Sequence, residues 1–243
     1  MVADIMKIIE KSYKFRSRGF PPRLTDAEVI TMEICGEFFK LHEDTEIFKY
    51  FKQHYLDTLP LPVATYTRGG FRDKRFALQA EFGHCASKKL NYYGFKLGLR
   101  ITRSGMITHF PLLSARTHDT NHLGALIEGF SGTVPADKGF LDAYQTELWQ
   151  LVQNTQVVEP PRRNMNAAPE QVKLVRKTKY RRKPVETVGS QLTERFQITK
   201  IKVKDLRHYQ NRIFRKILSH KVGVFINMQN GNKALHLALL DQI

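Results

Sequence analysis

Between Tyr93 and Ile101 the side chains alternate without interruption: Tyr93, Phe95, Leu97, Leu99 and Ile101 are apolar, and Gly94, Lys96, Gly98 and Arg100 stand between them. A period of two puts each set on its own face of a strand. Arg103-Ser104-Gly105 then turns the chain into a second apolar run, Met106 to Leu113, and the pattern predicts a β-hairpin. Upstream the period is helical. Ile5, Ile8 and Ile9 have helical spacing within residues 2–13, and after a basic turn (residues 16–23) a helix opens with Thr25 and Glu28 placed as a capping box. Its stripe is Ala27, Ile30, Ile34 and Phe38, and a third helical stretch from Thr45 carries Ile47, Phe51 and Tyr55. Residues 1–55 therefore read as a small helical module, either a helix-turn-helix or a packing or dimerising arm.

From Leu56 the chain reads differently. Leu59, Leu61 and Val63 alternate like a strand, but Pro60 and Pro62 lack ladder donors and restrict regular pairing to one side or to the residues around Asp57. Beyond the hairpin, Asp119 is placed to cap a short helix bearing Leu123, Leu126 and Ile127. A strand from Thr133 to Ala136 then delivers Asp137 at its carboxyl end. Helix follows from about Asp142, then a short strand at Val157 and Val158 closed by Pro160 and Pro161. This order predicts a mixed α/β sheet with helices packed on it. Arg162 to Lys183 is basic, polar and aperiodic, and reads as a surface loop or a segment ordered by its partner. Pro184 fits the first turn of a helix with Val185, Val188, Leu192 and Phe196 as its apolar stripe. A last long helix from near Asp205 buries Tyr209, Ile213, Ile217 and Val224 and displays Arg207, Arg212, Arg215 and Lys216. The expected divisions are a helical module at 1–55, a catalytic domain at 56–230 and a tail at 231–243.

Charge narrows the partner. Lys and Arg total 39 against 23 Asp and Glu, a net +16, and residues 160–221 alone hold 18 bases against 4 acids. An anionic polymer is the matching partner for the C-terminal third, and the cations expected to meet phosphate are Lys138, Arg162, Arg163, Arg176, Lys177, Lys179, Arg181, Arg182 and Lys183. For Lys138 and Arg182 solvated surface charge is an equal alternative. No apolar run approaches membrane-spanning length. Cys35 and Cys85 stand far apart outside any CxxC, which suits a reducing compartment and argues against structural zinc. No HExxH and no GxxxxGK[ST] loop occurs, so zinc hydrolysis and nucleotide triphosphate use have no support.

Three acids stand where buried segments meet a loop or a helix face: Asp57 in LDTLPLPVATY, Asp137 in VPADKGFLDAY and Glu186 in PVETVGSQLTERF. Carboxylate oxygens are hard donors suited to Mg²⁺, with Mn²⁺ as a substitute, and such a trio can hold the two ions that phosphodiester cleavage uses. Pattern alone leaves ordinary turns and caps as the competing account of these acids. His118, next to Asp119 at a helix start, reads as a capping or packing residue, with a role beside metal or phosphate as the alternative.

The order of DTLPLPV, YYGFKLGLRIT, ARTHDTNHL, ADKGFLD and VETVGSQLTERF resembles bacterial insertion-sequence transposases of the DDE class, with a likeness to insertion-sequence family 982 that runs from about Leu24 to Asn227. The resemblance implies a ribonuclease H-like core, with Asp57, Asp137 and Glu186 in the three metal-ligand positions. His118 and Asp119 match an HD pair of the family, and Arg215, Lys216, Leu218, Ser219 and His220 match its RKxLSH-like stretch. It also implies DNA ends and target DNA as partners, a homo-oligomer, a bacterial cytoplasm with nucleoid association when bound to DNA, and no use of nucleotide triphosphate. Two departures stand out. The family carries a longer stretch before the first aspartate, whereas here Phe51-Lys52-Gln53-His54-Tyr55 runs straight into Leu56-Asp57, as an internal deletion would leave it. Around the last acid, the Tyr-Arg-Glu-Lys pattern of related transposases finds Arg182 but not its tyrosine or lysine. A catalytically inactive DNA-binding remnant and a metal-dependent nuclease without strand transfer are the alternatives.

Overall fold

A computed structural model describes residues 2–12, 24–54, 81–85, 90–136, 143–158, 169–178, 183–201, 203 and 205–242. In chain order the elements are helices α1 (Val2–Ser12), α2 (Asp26–Phe38) and α3 (Asp44–His54), then strands β1 (Glu81–Cys85), β2 (Leu90–Leu97), β3 (Arg100–Ile101), β4 (Ile107–His109) and β5 (Leu112–Ser114). Helix α4 (Asp119–Ile127), β6 (Gly132–Pro135), α5 (Ala143–Gln153), β7 (Thr155–Val158), α6 (Pro169–Thr178), α7 (Lys183–Glu194) and α8 (Leu206–Gln229) complete the order, followed by a 3-10 turn at Leu237–Gln242. This is a mixed α/β chain. It divides into two compact units, residues 1–72 with 191–223, and residues 73–190 with 224–243.

The elements described in the first unit are helices. Thr25 caps α2: its hydroxyl accepts from the Glu28 amide at 3.2 Å, and the Glu28 carboxylate accepts from the Thr25 amide at 2.7 Å. These bonds to Thr25 hold the Glu28 carboxyl below its usual range, and a cap of this kind contributes about 1 kcal/mol. Helix α2 then packs closely on α3, because Gly36 has no side chain: a Cβ there would lie 2.5 Å from Cγ1 of Ile47, which is itself buried. Helix α1 forms where the isoleucine spacing places it, but Ile5, Ile8 and Ile9 remain exposed, whereas Met6 is buried.

Helix α8 departs from the sequence expectation. Ile213, Ile217 and Val224 are buried and Tyr209 is half-buried, as the stripe requires, yet Arg215 and Lys216 are buried as well. Glu37 of α2, fully buried, receives Arg215 Nε at 2.8 Å and Lys216 Nζ at 2.6 Å. Arg215 also reaches Asp44 at 2.8 Å, and Arg212 bonds to the His42 carbonyl and to Asp44. A charge without a partner inside a protein costs several kcal/mol, so these bases enter only because an acid meets them. Burial opposes the Arg215 charge, but the bond to Asp44 and the charges of Glu37, Asp44 and Glu33 outweigh it and hold the guanidinium above its usual pKa. For Lys216 burial dominates and lowers the ammonium below the usual lysine value, against the pull of Glu37.

The second unit holds the strands. β1, β2 and β5 form an antiparallel sheet in that order, with Glu81 opposite Gly94 and Phe95 opposite Ser114. β3 and β4 are the expected hairpin, closed through Thr102 and Gly105, but neither arm is one continuous strand. One arm breaks at Gly98 and Leu99; the other breaks at Phe110 and Pro111, where proline offers no donor and its carbonyl accepts instead from the Gly98 amide at 2.9 Å. Strand β1 has no counterpart in the sequence reading.

β6 and β7 pair in parallel, Val134 opposite Val157, with α5 in the connection, and Leu123, Ile127, Ala136, Trp149 and Val157 form the core against them. The segment expected as a loop from Arg162 to Lys183 contains α6. Pro169 opens that helix, where a missing amide hydrogen costs nothing, and Glu170 complements its amino-terminal dipole. Leu174 and Val175 are half-buried while Lys173 and Arg176 face solvent, an amphipathic pattern that the density of charge obscures.

Candidate catalytic carboxylates and DNA-facing cations

Glu186 is positioned by the amino-terminal turn of α7. Lys183 and Pro184 open that helix, and the proline's fixed φ suits the first turn. Val188 and Leu192 are buried, and Phe196 just beyond the helix is buried too. At about 100° per residue, Glu186 stands about 200° around the helix from Val188, so its carboxylate faces away from the buried stripe. The side chain is exposed accordingly, in a first turn whose unpaired amides favour negative charge. Val185, expected in the stripe, lies at its margin and is partly exposed.

Asp57 and Asp137 lie outside the described residues. What precedes Asp137 is described: the β6–β7 ladder ends at Pro135 opposite Val158, and the Ala136 amide donates to the Val158 carbonyl at 3.0 Å. Ahead of Asp57 the described residues end at His54, the last residue of α3. Among the described residues no group of three His, Cys, Asp or Glu side chains could hold a metal ion. Of the three acids Glu186 is the one within the described residues, and it presents a hard oxygen donor open to solvent, the type Mg²⁺ requires.

Of the cations expected to meet phosphate, Arg176 on α6 and Lys183 at the start of α7 are exposed. Lys177 lies within α6; Lys138, Arg162, Arg163, Lys179, Arg181 and Arg182 lie outside the described residues. Exposed Lys173, three positions before Arg176 and so on the same side of α6, is a cation the sequence reading passed over. Its helical phase with Arg176 was the available signal.

His118 is exposed at the start of α4, where its carbonyl accepts from the amides of Asn121 and His122 at 3.1 and 3.3 Å. The cap position thus falls on His118, one place before Asp119, which is the first helical residue. The RKxLSH-like stretch is largely internal: Arg215 and Lys216 meet Glu37, Ser219 donates to the Ile34 carbonyl at 2.8 Å, and His220 Nε2 pairs with Gln191 Oε1 at 2.9 Å. Leu218 is partly exposed. These residues interlock helices and are not a surface for phosphate.

A mixed α/β chain with a solvent-facing acid at the head of a helix and exposed bases nearby in sequence suits enzymes that act on polynucleotide backbones. Residues 49–208, about two thirds of the chain, match the family described as Transposase DDE domain, and the chain belongs to that family. It is therefore a DDE-type transposase by descent, with DNA as the partner its family implies. No curated protein and no solved structure matches the chain. Among the described residues no helix is long and apolar enough to cross a membrane.

Proposed function

We propose that the chain is the transposase of an insertion sequence of family 982, with a ribonuclease H-like catalytic domain at residues 56–230 preceded by a helical arm at 1–55. In this reading Asp57, Asp137 and Glu186 gather to bind Mg²⁺ or Mn²⁺, and the bases of residues 162–183 hold the DNA backbone. The bound ions would supply the charge that activates water and relieves the leaving oxygen. The chain's own part is to orient: three carboxylates fix the metal positions, and Lys and Arg side chains set the register of DNA, which carries most of the affinity without reading sequence. Cleavage frees a 3′-hydroxyl at the element end, and attack of that hydroxyl on target DNA exchanges one phosphodiester for another without ATP. Bringing two ends together calls for a homo-oligomer.

The observation that carries this reading is the family match itself, whose span of 49–208 encloses all three acids. Incubation of the full chain with Mg²⁺ and a labelled element end tests it. Joined product is the expected result; nicked product alone identifies a nuclease. Asp137→Ala and Glu186→Gln should abolish cutting with DNA affinity largely retained, and undiminished cutting by either variant removes that acid from the site.

A second reading has its own support. Helix α3 continues to His54, three residues before Asp57, which leaves little chain for a strand leading into the first acid. An internally deleted remnant that binds DNA and makes no product accounts for that spacing.

A further inference from the structure

We propose that the outward face of the first turns of α8, formed by Arg207, Gln210, Asn211 and Phe214, reads base edges in the major groove of duplex DNA. The inference rests on DNA as the partner and is independent of the carboxylate trio. The four residues stand at positions i, i+3, i+4 and i+7 of one helix, within an arc of about 100°. All four are exposed, and with His208 they line an open groove. Each supplies what base recognition uses. A guanidinium matches the two acceptors of guanine, a side-chain amide pairs its donor and acceptor with those of adenine, and an aromatic ring contacts the thymine methyl. Two amides among four residues set this face apart from α6, whose exposed Lys173 and Arg176 suit phosphate, a group that carries no sequence information.

The charge around the face suits the same partner. Asp205, just before α8, is occupied: it accepts from the His208 amide at 2.9 Å and meets the His208 ring Nδ1 at 2.7 Å. Asp44, close enough to feel the His208 charge, is bonded to Arg212 and Arg215. In sequence Lys200, Lys202 and Lys204 lead into the helix, and Lys200 is exposed. Cations at such positions hold the backbone while the helix meets the bases. A helix with its side chains is about 10–12 Å across, and the major groove, about 12 Å wide, admits it. The other side of α8 is bonded to α2, through Arg215 and Lys216 to Glu37 and through Ser219 to the Ile34 carbonyl. The backbone that carries the reading face is thus held before DNA arrives, which lowers the cost of binding. A second copy of the chain is the competing occupant. The cores of such interfaces are apolar, whereas this face has one aromatic side chain among three polar ones.

The test incubates the full chain with a pool of random-sequence DNA duplexes and sequences the bound fraction. The parent should enrich a motif that contains adenine. Gln210→Ala and Asn211→Ala should each erase the preference at one or two positions and weaken the selected duplex by about tenfold. Their salt dependence should match the parent's, because neither removes a charge. Asn211→Arg should exchange adenine for guanine at the position it reads, a change that a merely structural role would not produce. An unaltered motif in all three variants overturns the proposal and leaves DNA as the partner, and so does binding by the parent without any motif. Equal weakening of every duplex by Gln210→Ala and Asn211→Ala would mean the face meets backbone alone, and also overturns it. Loss of the motif together with a change of oligomeric state in sedimentation assigns the face to a second copy and refutes base reading. If the parent binds no duplex, the DNA reading fails and this proposal falls with it.

Discussion

Leu235 occupies the space in which a side chain at position 105 would stand: a Cβ added to Gly105 would lie 2.3 Å from Cδ2 of Leu235 and 2.7 Å from its Cγ. The glycine also closes the β3–β4 turn at φ +86°, a backbone region that L-residues rarely enter. Gly105→Ala should therefore destabilise the chain by about 1–3 kcal/mol, read as a lower urea midpoint. Adding Leu235→Ala should return only the steric share, because the backbone strain remains. Full recovery in the double variant would show that the turn conformation costs nothing.

Glu37 is expected to be the least replaceable side chain of the helical unit. Glu37→Leu leaves both Arg215 and Lys216 buried without their shared acid and should cost about 3–5 kcal/mol in urea unfolding. Lys216→Met should cost less, since Arg215 still satisfies Glu37 and an aliphatic chain of similar length fills the space. A larger loss for Lys216→Met than for Glu37→Leu would contradict this account of the cluster.

DNA binding should separate buried from exposed bases. Arg176→Ala and Lys183→Ala should each weaken binding and lower the dependence of log K on log salt by about one. Lys216→Met, at a buried position, should leave that slope unchanged. The measurement is a salt titration by fluorescence anisotropy on a duplex, and an equal change of slope for all three would place Lys216 against phosphate.

His220 gives the stability a pH dependence of defined sign. Burial lowers its imidazole from 6.5 to about 4, so the unfolded chain takes up the proton first as acid is added. The native state keeps its full margin above pH 6.5 and loses it progressively as pH falls from 6.5 to 4. At about 1.4 kcal/mol per unit, roughly 3 kcal/mol is at stake. His220→Gln should flatten Tm against pH across that window, and an unchanged profile would remove His220 as its source.

Signals that act over a few residues were legible in the sequence. The Thr25–Glu28 box, the turn at Gly105, the proline at the head of α7 and the strand ending at Pro135 each depend on neighbours within about one turn or one ladder. What escaped depends on distant partners. Arg215 and Lys216 read as surface charge because nothing near them in sequence marks Glu37 as their acid, 178 and 179 positions away. Helix α6 was obscured by its own charge, and β1 has only five residues with Gly83 and His84 breaking its apolar pattern. Of the candidate site, the word around Glu186 located a helix head open to solvent. The convergence of Asp57 and Asp137 upon it belongs to the proposal above.

The 179 positions between Glu37 and Lys216 have a consequence for synthesis. On the ribosome α2 is complete and capped long before α8 exists, and Glu37 must stay hydrated until the bases that neutralise it emerge. The amino-terminal helices therefore cannot close their interior early, as an independent domain would. They wait, incompletely packed, for almost the whole polypeptide, and a message truncated before codon 215 would yield helices whose central acid keeps His42 beside it but lacks both of its bases.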